Sequence, residues 1–505
     1  MSMVRRLFKP KPRIAESTPI KFNELKSRPY YIVASVEVGN TTTKSILTAT
    51  DLDTGKTQIV NKTVRMTRDV RPPKEGEEVF GRTICGTTLT RESIAELVKD
   101  TLLQSHQTAG LSLHADLNFV VRSTGVVAEF DSPDEVGIFI QALAQGCLDA
   151  GVPPRLMTPA MSIYNIPDRF KRYTLIDKIV FNGPVASVWP PMGATGVEIV
   201  ANEMEGELAT AGIKQGCKWS DVDFRNPCLT MDFGTTLDGR ITSEELPYSH
   251  TIGNFCGVAG AVPDAIVRGT GLVDQSTGTA LDIFSGKAIS PNRKAVEYAR
   301  QIDEHITIEK VPVGRKKYGY VPLDAAAAQK LGVVLIGCDC GENGSDLPKL
   351  SQIGGEIYRR EGINTLSAVL DLVSARMARR LVEVALEQGL ITERTAIGVT
   401  GRAGMSGGKP ALILDQIIDL GLYKERAEKN LVFVDDGLGR GAAVMARCMN
   451  SMGTPKNPMG GVRGGRCILR ERMAYEAQKN PQAGIPQFSS RQSEVKDYLS
   501  MGRKD

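Results

Sequence analysis

The sequence lacks any long apolar run. Its best, Leu331–Ile336, is strand length, far short of the ~20 residues a membrane helix needs. Aromatic residues make up only 6% of the chain, too few for a base-stacking surface. A net charge of +4 over 505 residues is a weak field, so neither nucleic acid nor a membrane is expected as a partner. The four histidines, His106, His114, His250 and His305, are scattered. Nine cysteines, an odd number, come with no signal peptide and read as reduced thiols. The close pair Cys338 and Cys340 has no second pair or histidine beside it, so it reads as structural or exposed before metal-binding, with a redox role open. Met1–Arg13 is basic but lacks the apolar segment of a secretory signal. A cytoplasmic protein is expected.

What is present is an ordinary globular composition, 41% apolar and 24% charged, long enough for two or three domains. Strand and helix patterns alternate, which reads as an α/β protein. Tyr30–Val38, Lys44–Ala49 and Thr57–Met66 read as strands, Arg91–Gln104 and Glu135–Ala150 as helices. Leu117–Val121 reads as a strand, and Val197–Ala211 as a helix carrying Glu198, Glu203, Glu205 and Glu207. The pattern restarts near Cys228, which suggests two related halves. Asn254–Ala280 is rich in glycine and small residues. Thr365–Gly389 reads as one long helix, Thr395–Val399 and Leu431–Val434 as strands, and Ala411–Leu420 and Ala442–Met449 as helices. The expected organisation is a polar tail over 1–28, one unit over 29–220, a second over 221–450 with an insertion at 281–350, and a polar tail over 451–505.

Four motifs could carry chemistry. In Glu37–Lys44 an acid ends a buried strand, Gly39 and Asn40 tolerate the positive φ of a tight reversal, Thr41 and Thr42 add hydroxyls, and Lys44 adds a cation. Backbone amides and hydroxyls in such a turn converge on anionic oxygens, and Glu37 could hold magnesium. That is equipment for phosphoryl chemistry. Asp232–Asp238 repeats the design with Gly234, Thr235 and Thr236, and Asp232 could hold magnesium or orient water. Neither turn alone is specific, since each could be an ordinary hairpin; the pair is the evidence. Gly401, Arg402, Ala403 and Gly404 follow an apolar strand and could border a nucleoside. Gly437–Ala443 could close the same pocket or pack its helix on a sheet. Two competitors fail. Gly407-Gly408-Lys409-Pro410 lacks the earlier glycine and the hydroxyl of a P-loop, and Gly437–Gly441 lacks the spacing and βαβ context of a dinucleotide fingerprint.

In this order the motifs resemble those of the acetate kinase, sugar kinase, Hsp70 and actin superfamily. Glu37–Lys44 looks like its first phosphate motif, Asp232–Asp238 its second, Val399–Gly404 its adenosine motif, and Gly437–Ala443 its second connecting helix. The resemblance implies two ribonuclease-H-like lobes with ATP and magnesium in the cleft between them. Val36–Lys44 looks most like the activator and reactivase ATPases of radical and corrinoid enzymes, and Asn254–Ala261 loosely resembles a segment of corrinoid reductive activators. The whole chain resembles an archaeal family called methanogenesis marker protein fourteen. An ATPase acting on a metallo- or corrinoid enzyme is thereby implied. Glu37 departs from the superfamily's usual Asp, which puts hydrolysis in question. A small-molecule kinase and a nucleotide-responsive scaffold are the alternatives. For the kinase, Glu203, Glu205 and Asp264 are candidate acids, each more cheaply explained as solvated surface. A homodimer is open.

Overall fold

A computed structural model describes residues 10–17, 20, 22–27, 29–124, 133–157, 203–244, 251–283, 286–330, 332–450, 462–463 and 466–467. Two sheets organise them. The smaller contains β2 (Tyr30–Val38), β3 (Thr42–Asp51), β4 (Thr57–Met66) and β5 (Phe119–Thr124), in the order β4-β3-β2-β5. The larger contains β1 (Arg13–Ala15), β6 (Cys228–Phe233), β7 (Leu237–Thr242), β8 (Thr251–Gly257), β9 (Ile306–Lys310), β10 (Val334–Cys340), β11 (Ala396–Thr400) and β12 (Leu431–Val434). Its order is β1-β12-β11-β6-β7-β8-β10-β9.

The two sheets share a core plan. In each, three consecutive strands form an antiparallel meander (β2-β3-β4 and β6-β7-β8) and a later strand returns parallel to the first of the three: β5 beside β2, and β11 beside β6. In the larger sheet β12 adds parallel to β11, and in the smaller a parallel bridge from Val120 to Met157 stands at the same place. The two sheets are thus alike in the order of these strands.

Period-two alternation decides which face each side chain takes. On β2, Ile32, Ala34, Val36 and Val38 enter one core with α1 (Arg91–Ala109) and α2 (Pro133–Asp149), while Tyr31 and Val33 pack against Ala442, Ala443 and Ala446. Those alanines lie on α8 (Gly437–Asn450), which leaves the end of β12 and crosses to the smaller sheet. Its counterpart α3 (Glu203–Gly216), which precedes β6, packs on the larger sheet, where Ile213 meets Cys228, Ala396 and Val432. The two crossing helices also pack against each other. A Cβ on Gly441 would lie 2.0 Å from the Leu208 carbonyl oxygen, so only a hydrogen side chain permits the approach. Glu37 and Asp232 fall on the faces covered by these helices.

Several expectations are corrected. Part of the supposed tail, Arg13–Ala15, pairs parallel with β12 and edges the larger sheet, because Ala15 is small and its backbone completes a free ladder. The glycine- and small-residue-rich stretch Asn254–Ala280 holds most of β8 and the helix α4 (Ala261–Arg268), whose small residues allow close packing. The supposed insertion at 281–350 supplies β9 and β10 to the larger sheet. The span α5 (Leu347–Glu387) is two helices parted at Gly362, whose φ of 76° is not helical; the second agrees with the helix expected over Thr365–Gly389, and the first was not expected. Cys338 and Cys340 are buried in β10, not exposed; burial pushes the Cys340 thiol up to about 12 and the Cys338 thiol higher, away from the reactive thiolate. Of the tail over 451–505, only 462–463 and 466–467 are described; Glu198 lies outside the described residues. Among the described residues no helix is long and apolar enough to cross a membrane.

Candidate functional site

The first turn closes between β2 and β3, with Glu37 opposite Lys44 in register and Gly39 N–H donating to the Thr42 carbonyl at 3.0 Å. Neither Gly39 nor Asn40 takes a positive φ, contrary to expectation. Gly39 is needed for room instead: a Cβ there would sit 3.1 Å from the Thr42 oxygen, and Gly234 has the same relation to Thr236 at 3.2 Å. Asn40 is spent on structure, its Oδ1 accepting from Ile84 N–H at 2.9 Å. Thr67 braces the turn from β4's end, donating to the Gly39 carbonyl at 2.8 Å.

The second turn closes between β6 and β7, with Asp232 opposite Asp238. Its carbonyls are held by the approach to α4: Gly260 N–H donates to the Gly234 oxygen at 2.8 Å and Ala261 N–H to the Thr235 oxygen at 3.0 Å. The third motif reaches the same place because β11 runs parallel to β6, pairing Thr400 with Asp232. Gly401 then turns with φ +85°, and any Cβ would strike Asp232 Oδ1 at 2.3 Å. It leads into the short helix α6 (Arg402–Met405). Ala403 is buried, and Gly404 packs inward, a Cβ there falling 2.7 Å from Val399.

These three segments meet. Thr235 Oγ1 donates to Thr41 Oγ1 at 2.7 Å across a separation of 194 residues. Arg402 Nη2 lies 3.2 Å from the Thr41 hydroxyl and 3.4 Å from that of Thr235. The Arg402 side chain therefore belongs to the two threonine turns, although its motif was expected to border a nucleoside. Asp264, taken above as solvated surface, is 0% exposed and forms a two-pronged ion pair with Arg402. The third motif's glycine turn throws the guanidinium inward, which explains the correction.

Beside this junction lies a charged cluster. Lys44 Nζ is 3.6 Å from Glu37 Oε1. Burial pulls the Lys44 ammonium down, but Glu37, Asp436 and Asp232 outweigh it and hold it above the ordinary value. Burial pushes the Asp232 carboxyl up to about 8, with Asp238, Glu37 and Asp436 adding repulsion and Lys44 opposing. Asp436, which motif reading passed over, has Lys62 Nζ 2.6 Å from its Oδ1, while its Oδ2 is buried with no hydrogen-bond partner. Burial raises its pKa too, against Lys62. The available signal was Asp435-Asp436-Gly437 just past a buried strand, acids followed by glycine as in the first two turns.

The fourth motif is a packing device. Gly437 N–H donates to Thr400 Oγ1 at 3.0 Å, and a Cβ on Gly439 would crowd Ile46. Lys409, in the rejected P-loop look-alike, is also structural. Its Nζ is 2.7 Å from Asp371 Oδ1, both side chains being buried, and Gly408 N–H donates to Asp371 Oδ2 at 2.7 Å. The pair joins α5 to α7 (Lys409–Leu420) beside a cavity of about 30 Å³ lined by Lys287, Asp371, Arg402, Ala403 and Ser406. That volume suits a water, not a base. Lys409→Met should cost about 3–5 kcal/mol in urea unfolding, because it strands the Asp371 charge. A loss below ~1 kcal/mol would show the pair contributes little.

The fold and site thus define a mixed α/β protein of repeated strand order, with two acid–Gly–Thr turns joined through an arginine. The chain belongs to the family described as an uncharacterized protein conserved in archaea (DUF2114), which matches residues 30–476. It is 56% identical over 475 residues to an uncharacterized protein of Methanocaldococcus jannaschii, covering 94% of this chain and 97% of that one. It is 53% identical over 498 residues to an uncharacterized protein of Methanothermobacter thermautotrophicus, covering 95% and 92%. Among solved structures it is similar to a reductive activator for corrinoid, iron-sulfur protein, at 11% identity and a TM-score of 0.33, covering 82% of this chain and 60% of that one, less than two thirds of its length. A ROK family glucokinase from Streptomyces griseus, in complex with glucose and AMPPNP, is similar at 16% identity and a TM-score of 0.33, covering 82% and 99%. These superpositions are too loose to carry function.

Proposed function

We propose that this chain binds ATP with magnesium at the junction of the two threonine turns and uses it to switch a partner protein. The observation that carries this reading is the contact of Thr41 with Thr235, which makes one site of two acid–Gly–Thr turns. The shared strand order supports reading the two sheets as ribonuclease-H-like lobes, with α3 and α8 crossing between them. Thr41, Thr42, Thr235, Thr236, Lys44 and the room left by Gly39 and Gly234 would hold phosphates.

The residues fit magnesium. Among the described residues no three His, Cys, Asp or Glu side chains form a ready cage. Magnesium commonly takes one or two carboxylates and fills its other positions with water and phosphate oxygens, a role open to Glu37 and Asp232. A nearby cation would also restore the carboxylate form of Asp232. When bound, ATP supplies the anhydride bond whose hydrolysis resets the switch. The protein's own part is to desolvate and orient the phosphates.

A metallo- or corrinoid enzyme linked to methanogenesis as the partner rests on the resemblance of Val36–Lys44 and Asn254–Ala261 to activator ATPases. Slow basal turnover, raised by the partner, is expected. Calorimetry of ATP with magnesium on the full chain, followed by phosphate release with and without proteins co-purified from native cells, tests the reading. No binding at millimolar ATP would end it. Tight binding with no phosphate release, partner present, would instead assign a nucleotide-responsive scaffold.

A further inference from the structure

We propose that Arg402 senses the terminal phosphate by exchange: Asp264 occupies its guanidinium, and an incoming phosphate oxygen takes Asp264's place. The inference rests on the nucleotide reading above and specifies how the site is regulated. Arg402 Nη1 donates to Asp264 Oδ1 at 3.0 Å, and Nη2 donates to Oδ2. The planar fork of arginine matches carboxylate and phosphate equally well.

The surrounding donors treat Asp264 as they would a phosphate. Thr235 donates to Thr41 at 2.7 Å, and Thr41 lies 3.5 Å from Asp264 Oδ2 with its hydroxyl directed there. A chain of hydroxyls from both turns, together with the guanidinium, ends on one anionic oxygen. The space is built for this group. Gly260 has a φ of −64°, which any residue could adopt, yet a Cβ there would lie 2.5 Å from the Gly234 oxygen and 3.0 Å from Arg402 Nη2. Glycine at 260 therefore makes room first for the Gly234 carbonyl and then for the guanidinium.

Asp264 also has a second attachment through which exchange can be read at a distance. Ala280 N–H donates to its Oδ1 at 2.8 Å. Residues 277–282 are gripped in turn by Arg68, which donates to the Thr277 carbonyl at 2.9 Å and to both Asp282 oxygens at 2.8 and 2.7 Å. Arg68 directly follows Thr67, which braces the first turn. Losing the guanidinium leaves Asp264 as an unpaired buried charge, so α4 and the 277–282 strap must readjust. A passive clasp would not need to release.

The test is calorimetric titration of wild type, Asp264→Asn and Arg402→Lys with ATP, ADP and tripolyphosphate, each variant first checked for native circular dichroism. Asp264→Asn removes the competing anion and should bind ATP and tripolyphosphate about tenfold tighter than wild type. Arg402→Lys keeps the charge but not the fork, and should weaken ATP about tenfold while changing ADP by less than about threefold. Equal losses for ATP and ADP in Arg402→Lys, or no tightening in Asp264→Asn, would overturn the exchange. If Asp264→Asn does not fold, the ATP-to-ADP ratio of Arg402→Lys decides alone. Tripolyphosphate binding that tightens in Asp264→Asn, with no ATP binding, would keep the exchange and end the nucleotide reading. ATP binding indifferent to Asp264 would do the reverse.

Discussion

Asp232→Asn is expected to stabilise the folded protein while abolishing ATP turnover. Asp232 is 5% exposed, and burial first, then Asp238, Glu37 and Asp436, push its carboxyl up to about 8. In the unfolded chain the same group titrates near 3.8. Between these values the folded state holds a proton that the unfolded state has released. Stability is therefore fullest below about pH 4 as far as this group is concerned, and falls as pH rises towards about 8. The accumulated loss by pH 7 is on the order of 4 kcal/mol, an upper figure because water and relaxation soften it. Asparagine keeps the shape and removes the titration. In urea unfolding at pH 5, 7 and 8.5, the gap between variant and wild type should widen with pH. A constant gap would mean that Asp232 is not held neutral. Added magnesium–ATP should stabilise wild type more than the variant, since the acid that costs stability is one of the two proposed to meet the metal.

Gly212→Ala should have the opposite sign and a comparable size. In an isolated helix alanine beats glycine by about 1 kcal/mol, so propensity alone forecasts a gain. On α3, however, a Cβ at 212 would lie 1.7 Å from the Gly437 carbonyl oxygen and 2.9 Å from the Gly441 nitrogen. Both obstacles are backbone of α8, which cannot rotate aside. The crossing helices must part, at a cost of roughly 3 kcal/mol or more. The damage should reach the site, because Gly437 follows Asp436 and donates to Thr400, which pairs with Asp232. The urea midpoint gives the stability change, and calorimetry gives the accompanying loss of nucleotide affinity. A midpoint that rises would show that the helices are not in this contact.

Much of the plan was legible along the chain, for reasons of local physics. Tyr30–Val38 and Leu431–Val434 declared themselves as strands because apolar β-branched runs have few other uses. The paired acid–Gly–Thr turns were visible because each keeps its parts within eight residues of sequence. Other features misled. Glycine at 39 suggested a positive φ, whereas its use is to keep a Cβ off the Thr42 oxygen. Asp264 looked solvated because an acid's partner, here 138 residues away, leaves no mark in its own neighbourhood.

By itself the sequence determined the alternation of strands and helices, the duplicated turn and the identity of the hydroxyls and acids at each turn, since these follow from side-chain period and local backbone chemistry. Only the tertiary structure decided which of them meet. The Thr41–Thr235 contact, the Arg402–Asp264 pair and the rise in the Asp232 pKa all depend on segments more than a hundred residues apart. Strand register and the glycine-permitted crossing of α3 and α8 set those distances, and burial then set the charges.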